Sequence, residues 1–313
     1  MSLEIIGTES LGVRGLCCAV ALPKQYILID PGISLGYCRH GLLPHPLQVA
    51  VGCGVRNKIC EVINHATDVV FSHFHGDHVP LLDANPYQLS IQALPRRFRE
   101  LRCWSKSDTG PSTDAHKRFR DLADLLGENM QVAEGRLEGP LCFSTAVPHG
   151  SRDSNRGTVM MTRIEMDRHN TFVHASDIQL LDDATVERII DWQPSILIAA
   201  GPPLYLGRLS RSDQDCAWAN AVRLAQKIDV LILDHHLMRG PEGPVWLDEL
   251  SATAGRRVYC AADFMGRPRL PLEANRRHLY EQMPVPDTWH DNYAKDHLGL
   301  EAYAIPLHFP VCG

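Results

Sequence analysis

Three imidazoles and a carboxylate fall within six residues of the stretch Ser72-His73-Phe74-His75-Gly76-Asp77-His78-Val79-Pro80. Imidazole nitrogens and carboxylate oxygens are the donors that zinc, iron and manganese accept, so this H-x-H-x-D-H pattern predicts a metal site. His73 and His75 stand two apart, and an extended strand end would point both rings to one side. Gly76 is expected to open a turn that folds Asp77 and His78 back toward them. Four donors this close in sequence suit two neighbouring ions better than one structural zinc, which usually draws on separated, often cysteine-rich pairs.

The elements that must position these donors are short. Strands are predicted over Leu3–Thr8, Leu16–Leu22, Gln25–Ile29, Val69–Phe71, Leu141–Val147, Val159–Ile164, Thr171–Ala175, Ser195–Ala200, Val230–Leu233 and Arg257–Cys260. Apolar residues at helical spacing predict helices over Leu47–His65, Asp114–Leu126, Asp183–Ile190, Asp213–Ile228, about 245–254 and about 271–282. A strand that stops at an ionisable residue recurs along the chain, at Asp30, His73, His149, Asp177 and His235. If these strand ends share one edge, their side chains converge on one pocket, as sites in α/β proteins do. The stretch Pro284 to Gly313 is expected to be an irregular tail packed on one domain of residues 1–283.

With 313 residues, 44% hydrophobic and 22% charged, the chain can bury a large core. A net charge of −6 argues against nonspecific binding to a phosphate backbone without excluding nucleic acid. The first residues carry no secretory pattern, and no apolar run reaches the length of a membrane span. The ten cysteines show no C-x-x-C spacing. They read as reduced thiols of a cytoplasmic protein rather than a disulfide framework.

The order Asp30, H-x-H-x-D-H, His149, Asp177 and His235-His236, each after a strand, resembles the metallo-β-lactamase fold superfamily over about residues 1–282. Within it the chain is similar to a small prokaryotic group of predicted metal-dependent hydrolases. Segments such as Gly41-Leu42-Leu43-Pro44-His45-Pro46, Gly201-Pro202-Pro203-Leu204-Tyr205 and Ala261-Ala262-Asp263-Phe264-Met265-Gly266 carry that closer likeness. The resemblance implies an α/β fold, the four-layer αββα sandwich. It implies that His73, His75 and His149 bind one divalent ion, and Asp77, His78 and His235 or His236 a second, with Asp177 bridging. His235, first off its strand, is preferred. Asp30 is expected to brace the ligand loop. Zinc leads, with iron or manganese open.

The implied reaction is hydrolysis by a metal-bridging hydroxide, with Asp77 able to orient water where one ion is weakly held. A small phosphodiester or related ester is the expected substrate, and a homo-oligomer is left open. The alternative is a diiron redox or sensor protein on the same scaffold. His45 is a candidate for the pocket mouth and His174 for the core. His65, His116, His169, His278, His290, His297 and His308 read as structural or surface residues, and Arg96-Arg97-Phe98-Arg99 as a solvated face.

Overall fold

The computed structural model describes residues 1–151, 157–207, 209–296 and 299–303. The first sheet holds β1 (Ser2–Gly7), β2 (Cys17–Ala21), β3 (Tyr26–Ile29), β4 (Asp68–Phe71), β5 (Arg102–Ser105) and β6 (Met130–Val132), side by side in chain order. The later strands are β7 (Leu137–Glu138), β8 (Leu141–Phe143), β9 (Val147–Pro148), β10 (Thr158–Val159), β11 (Thr162–Glu165), β12 (Thr171–His174), β13 (Ile196–Ala199) and β14 (Val230–Leu233). The second sheet runs β14-β13-β12-β11-β8-β7, while β9 and β10 form a separate pair. Each large sheet joins antiparallel neighbours to a parallel run: β3-β4-β5-β6 in the first and β12-β13-β14 in the second.

The helices are α1 (Pro46–Ile63), α2 (Thr113–Leu126), α3 (Asp183–Asp191), α4 (Arg211–Lys227), α5 (Glu242–Ala254), α6 (Ala261–Phe264), α7 (Arg276–Gln282) and α8 (Trp289–Asp296). Strand alternation divides the core in two. Ile27, Ile29 and Val70 face the second sheet, with Phe143, Ile164, Phe172 and Leu197 in the same cluster. Leu28, Val69 and Phe71 face the other way, onto Val55, Ile59 and Val62 of α1 and Leu122 of α2. Burying an aliphatic side chain of this kind contributes roughly 2 kcal/mol before chain entropy is set against it. Helices α4 and α5 supply Ala217, Leu224, Leu247 and Leu250 to the second sheet's cluster, which completes the four layers.

Several predicted elements differ. Leu141–Val147 is interrupted: Thr145 and Ala146 are exposed, and the chain re-enters as β9 against β10. Val159–Ile164 likewise divides into β10 and β11. Arg257–Cys260 makes one parallel bridge, Tyr259 to Ile232, because α6 starts immediately after it. The helix expected from about 271 begins at Arg276, and Glu273 ahead of it is held by arginines. The tail expected to be irregular contains α8, whose Trp289 and Tyr293 bury in the α1-side core. His45 is not at a pocket mouth. It is fully buried, caps α1 through Nδ1 and reaches the Met283 carbonyl through Nε2 at 2.9 Å.

Candidate metal centre

The parallel strands deliver their C-terminal ends to one edge, with Asp30 after β3, Ser72 to His78 after β4, Ser176 and Asp177 after β12, and Asp234 to His236 after β14. His149 arrives after β9. Two turns at this edge are strained: Asp30 and Ser176 are non-glycine residues at φ of 47° and 54°. Such a conformation costs on the order of 1–3 kcal/mol and persists where surrounding contacts hold it. Here they do. The Asp30 carboxylate accepts from the Ser72 N–H (2.8 Å) and Ser72 hydroxyl (2.6 Å), and it faces His78 Nδ1 at 2.9 Å. The Ser72 and Ser176 hydroxyls meet at 2.6 Å, and Ser72 Oγ lies 2.9 Å from His73 Nδ1.

The motif turn is closed by His78 N–H donating to the His75 carbonyl (3.0 Å). Gly76 lies inside this turn, as expected, and takes it without a positive φ. The glycine that matters more is Gly32, where an added Cβ would lie 2.2 Å from Val79 N and 2.3 Å from the His78 carbonyl carbon. The β3 turn therefore presses directly on the motif backbone, which only glycine permits.

Asp177 is the centre of the cluster. Its Oδ2 faces His149 Nε2 at 3.1 Å, His236 Nε2 at 3.3 Å, His73 Nε2 at 3.5 Å and His75 Nδ1 at 3.9 Å. Its Oδ1 faces His78 Nε2 at 2.9 Å and His235 Nε2 at 3.5 Å. His235 Nε2 also lies 3.4 Å from Asp77 Oδ2. Donor atoms of His73, His75 and Asp177 lie within 4.8 Å of one another, as do those of Asp77, His78 and His235, and those of His149, Asp177 and His236. All eight sequence-predicted residues therefore come together. His235 and His236 reach the same carboxylate through opposite oxygens: His235 beside Asp77, His236 beside His149.

The electrostatics suit cations. Burial opposes charge on Asp177, but His78, His235, His236 and His73 hold its carboxyl well below the ordinary range. Burial pushes His73 down to about 3 and His235 down to about 4. Burial also opposes charge on His78, yet Asp177 and Asp30 hold its pKa well above the usual imidazole value. His73 Nε2, His78 Nε2 and Asp177 Oδ1 are buried without a hydrogen-bond partner. Imidazole nitrogens and a carboxylate converging in a buried pocket, with acidic and basic groups sharing protons at close range, form a donor set that a divalent ion fits by displacing those protons.

Sequence reading missed the residues around this ring of donors. Glu9, Gly15, Gln179 and Arg239 carry no motif and join the site only through folding, whereas Tyr205 closes the Gly201-Pro202-Pro203-Leu204-Tyr205 segment singled out in the sequence. Gln179 Nε2 lies 3.1 Å from His236 Nδ1, and Gly15 N–H donates to His235 Nδ1 at 3.2 Å. Arg239 Nη2 is 3.1 and 3.3 Å from the two His235 ring nitrogens. Arg239 Nε donates to Glu9 at 2.5 Å, and burial pushes the Glu9 carboxyl up to about 8. His174 is core, buried with Nε2 on the Leu16 carbonyl. His297 and His308 lie outside the described residues.

No protein-family model matches the chain. A crystal structure of an isothiocyanate hydrolase from Delia radicum gut bacteria superposes with a TM-score of 0.50 and 16% identity, covering 83% of this chain and 95% of that one. The Rm3 metallo-beta-lactamase covers 72% of this chain and 93% of its own at a TM-score of 0.35 and 14% identity. With its two facing sheets and outer helices, this is a metallo-β-lactamase-fold protein with a His/Asp cluster of the kind that takes divalent metal ions. The chain belongs to the UPF0282 family. It is 44% identical over 305 residues to the UPF0282 protein of Methanosarcina mazei, covering 97% of this chain and 100% of that one. To the UPF0282 protein of Thermococcus gammatolerans it is 34% identical, over 88% of this chain and 94% of the relative.

Proposed function

We propose that this protein is a hydrolase with two divalent metal ions, acting on a small phosphodiester or related ester. The carrying observation is Asp177, a buried carboxylate whose two oxygens face two separate donor groups. In this reading His73, His75 and His149 would hold one ion and Asp77, His78 and His235 the other, with Asp177 shared between them. His236, tethered by Gln179, stays beside the first. Two ions so held supply a water that ionises near neutral pH and positive charge for an ester oxygen.

The chain's own residues do the rest. Asp30 keeps a proton on His78 Nδ1, which leaves Nε2 as a donor atom. The Ser72–Ser176 pair fixes the His73 ring in the same way, by its hydroxyl contact to Nδ1. The first group is the one substrate meets, since the His75 side chain is 36% exposed while those of His78 and His235 are fully buried. The Asp77 side chain, partly open beside it, is positioned to orient a water. The nine described cysteines are all free, which suits the reducing cytoplasm, and no helix among the described residues is long and apolar enough to cross a membrane.

The test is metal analysis of protein purified without added metal, followed by a screen of phosphodiester, lactone and thioester substrates. Two zinc ions per chain and turnover of at least one ester are expected. Two iron ions, redox activity and no ester hydrolysis would replace this reading with a diiron redox or sensor protein.

A further inference from the structure

The wall of the site behind Asp77 and His235 is built of arginine. Arg239 Nη2 lies 3.8 Å from Asp77 Oδ2, and its Nη1 donates to the Tyr205 hydroxyl at 3.0 Å. Its guanidinium sits over the Tyr205 ring, 5.3 Å from the centroid, and that of Arg39 lies over the same ring at 5.4 Å. Arg39 then shares Glu273 with Arg14, and Arg276 stands 3.9 Å from the same carboxylate.

Charge in this wall does not balance. Among the described residues the four guanidinium groups share Glu9 and Glu273, and Asp77, 3.8 Å from Arg239, also faces the donor cluster. Arg276 is fully buried and occupied by Gln48 and the Gly36 and Leu42 carbonyls, and Arg239 is held by Glu9 and Tyr205. The accessible cations are Arg39 and Arg14, whose side chains are 15% and 26% exposed. Excess positive charge in a partly dry wall attracts an anion more strongly than the same charge in open water. A planar guanidinium presents paired N–H donors that match phosphate and carboxylate oxygens.

We propose that Arg39, with Arg14 and the Tyr205 ring, forms a subsite for a second oxyanion of the substrate, a phosphate or carboxylate joined by a short chain to the ester at the metal centre. Where the ester goes rests on the hydrolase reading above. The oxyanion subsite rests on the arginine wall.

The experiment uses the metal-loaded protein and 4-nitrophenyl alkyl phosphodiesters whose alkyl chain, three to six carbons long, ends in methyl, carboxylate or phosphate. The wild type is expected to prefer an anionic end at least tenfold in kcat/KM, and which end wins identifies the oxyanion. Arg39→Gln should lower that preference at least tenfold, chiefly through KM, and Arg39→Lys should restore part of it. Calorimetric titration with an alkane bisphosphate against the matching alkyl monophosphate reads the subsite without turnover. Equal cleavage of all three chains, with no tighter binding of the bisphosphate, overturns the subsite and leaves the hydrolase reading standing. No cleavage, with tighter bisphosphate binding that Arg39→Gln abolishes, overturns phosphodiester hydrolysis and leaves the subsite standing. An anion preference unchanged in Arg39→Gln removes Arg39 from it.

Discussion

The two halves of the donor cluster are built differently. The half around Asp177 Oδ2 is all imidazole, His73, His75, His149 and His236, and it opens to solvent at His75. The half around Oδ1 pairs His78 and His235, both fully buried, with Asp77. It is braced from behind by Asp30 on His78, by Gly15 and Arg239 on His235, and by the β3 turn pressed against the motif backbone at Gly32. A buried, braced half loses little freedom on binding an ion, so its geometry is set by the fold. An open half can exchange ligands with water and substrate. The contrast assigns structure to one side and access to the other.

The strongest way to break that contrast is to compare Asp177→Ala with His75→Ala. Asp177 serves both halves, so its loss is expected to empty both and lower any hydrolytic activity by about a thousandfold or more. His75 serves only the open half, so about half the metal should remain. Metal content by mass spectrometry decides: if His75→Ala empties the whole cluster, the halves are one unit.

A smaller effect sharpens the role of bracing. Asp30→Asn keeps the shape but weakens the hold on His78, and metal affinity is expected to fall about 10- to 100-fold. The loss should fall on the buried half, leaving the ion near His75 bound in a chelator competition. Loss from the open half instead would place the brace wrongly.

The smallest effect separates the arginine wall from the metals. Burial opposes charge on Glu273, but Arg14, then Arg239 and Arg276, hold its carboxyl far below the ordinary range. A group depressed in the folded state adds stability above its unfolded pKa and loses it as the pH falls through the folded value. Glu273→Gln, which leaves Arg14, Arg39 and Arg276 without their shared carboxylate, is therefore expected to destabilise the folded protein at pH 7. That difference should shrink as the pH falls below about 4. Urea midpoints of the two metal-free proteins across pH 3–7 measure it, and a constant difference would assign the cost to packing.

Much of the centre was legible because its donors are a local pattern. H-x-H-x-D-H sits at the end of a strand whose apolar run is plain in Val69-Val70-Phe71, and strand ends with Asp or His mark the remaining candidate donors. What failed were short elements at the edges. Leu141–Val147 reads as one strand because alternation cannot register two residues lifting away from a sheet. The helix α8 was hidden by flanking prolines and low periodicity, yet it is secured by Trp289 and Tyr293 packing against residues far away in sequence.

The sequence by itself determined which atoms can bind metal and that they follow strands, because donor chemistry and alternation are properties of residue types and spacing. Tertiary structure alone decided that Asp177 lies between two donor groups, and that His235 and His236 take opposite oxygens of one carboxylate. It alone decided that Arg239, Tyr205 and Arg39 form a wall beside them. Those relations join strand ends and loops up to about two hundred residues apart, and no local rule of spacing carries a distance set by the packing of two sheets.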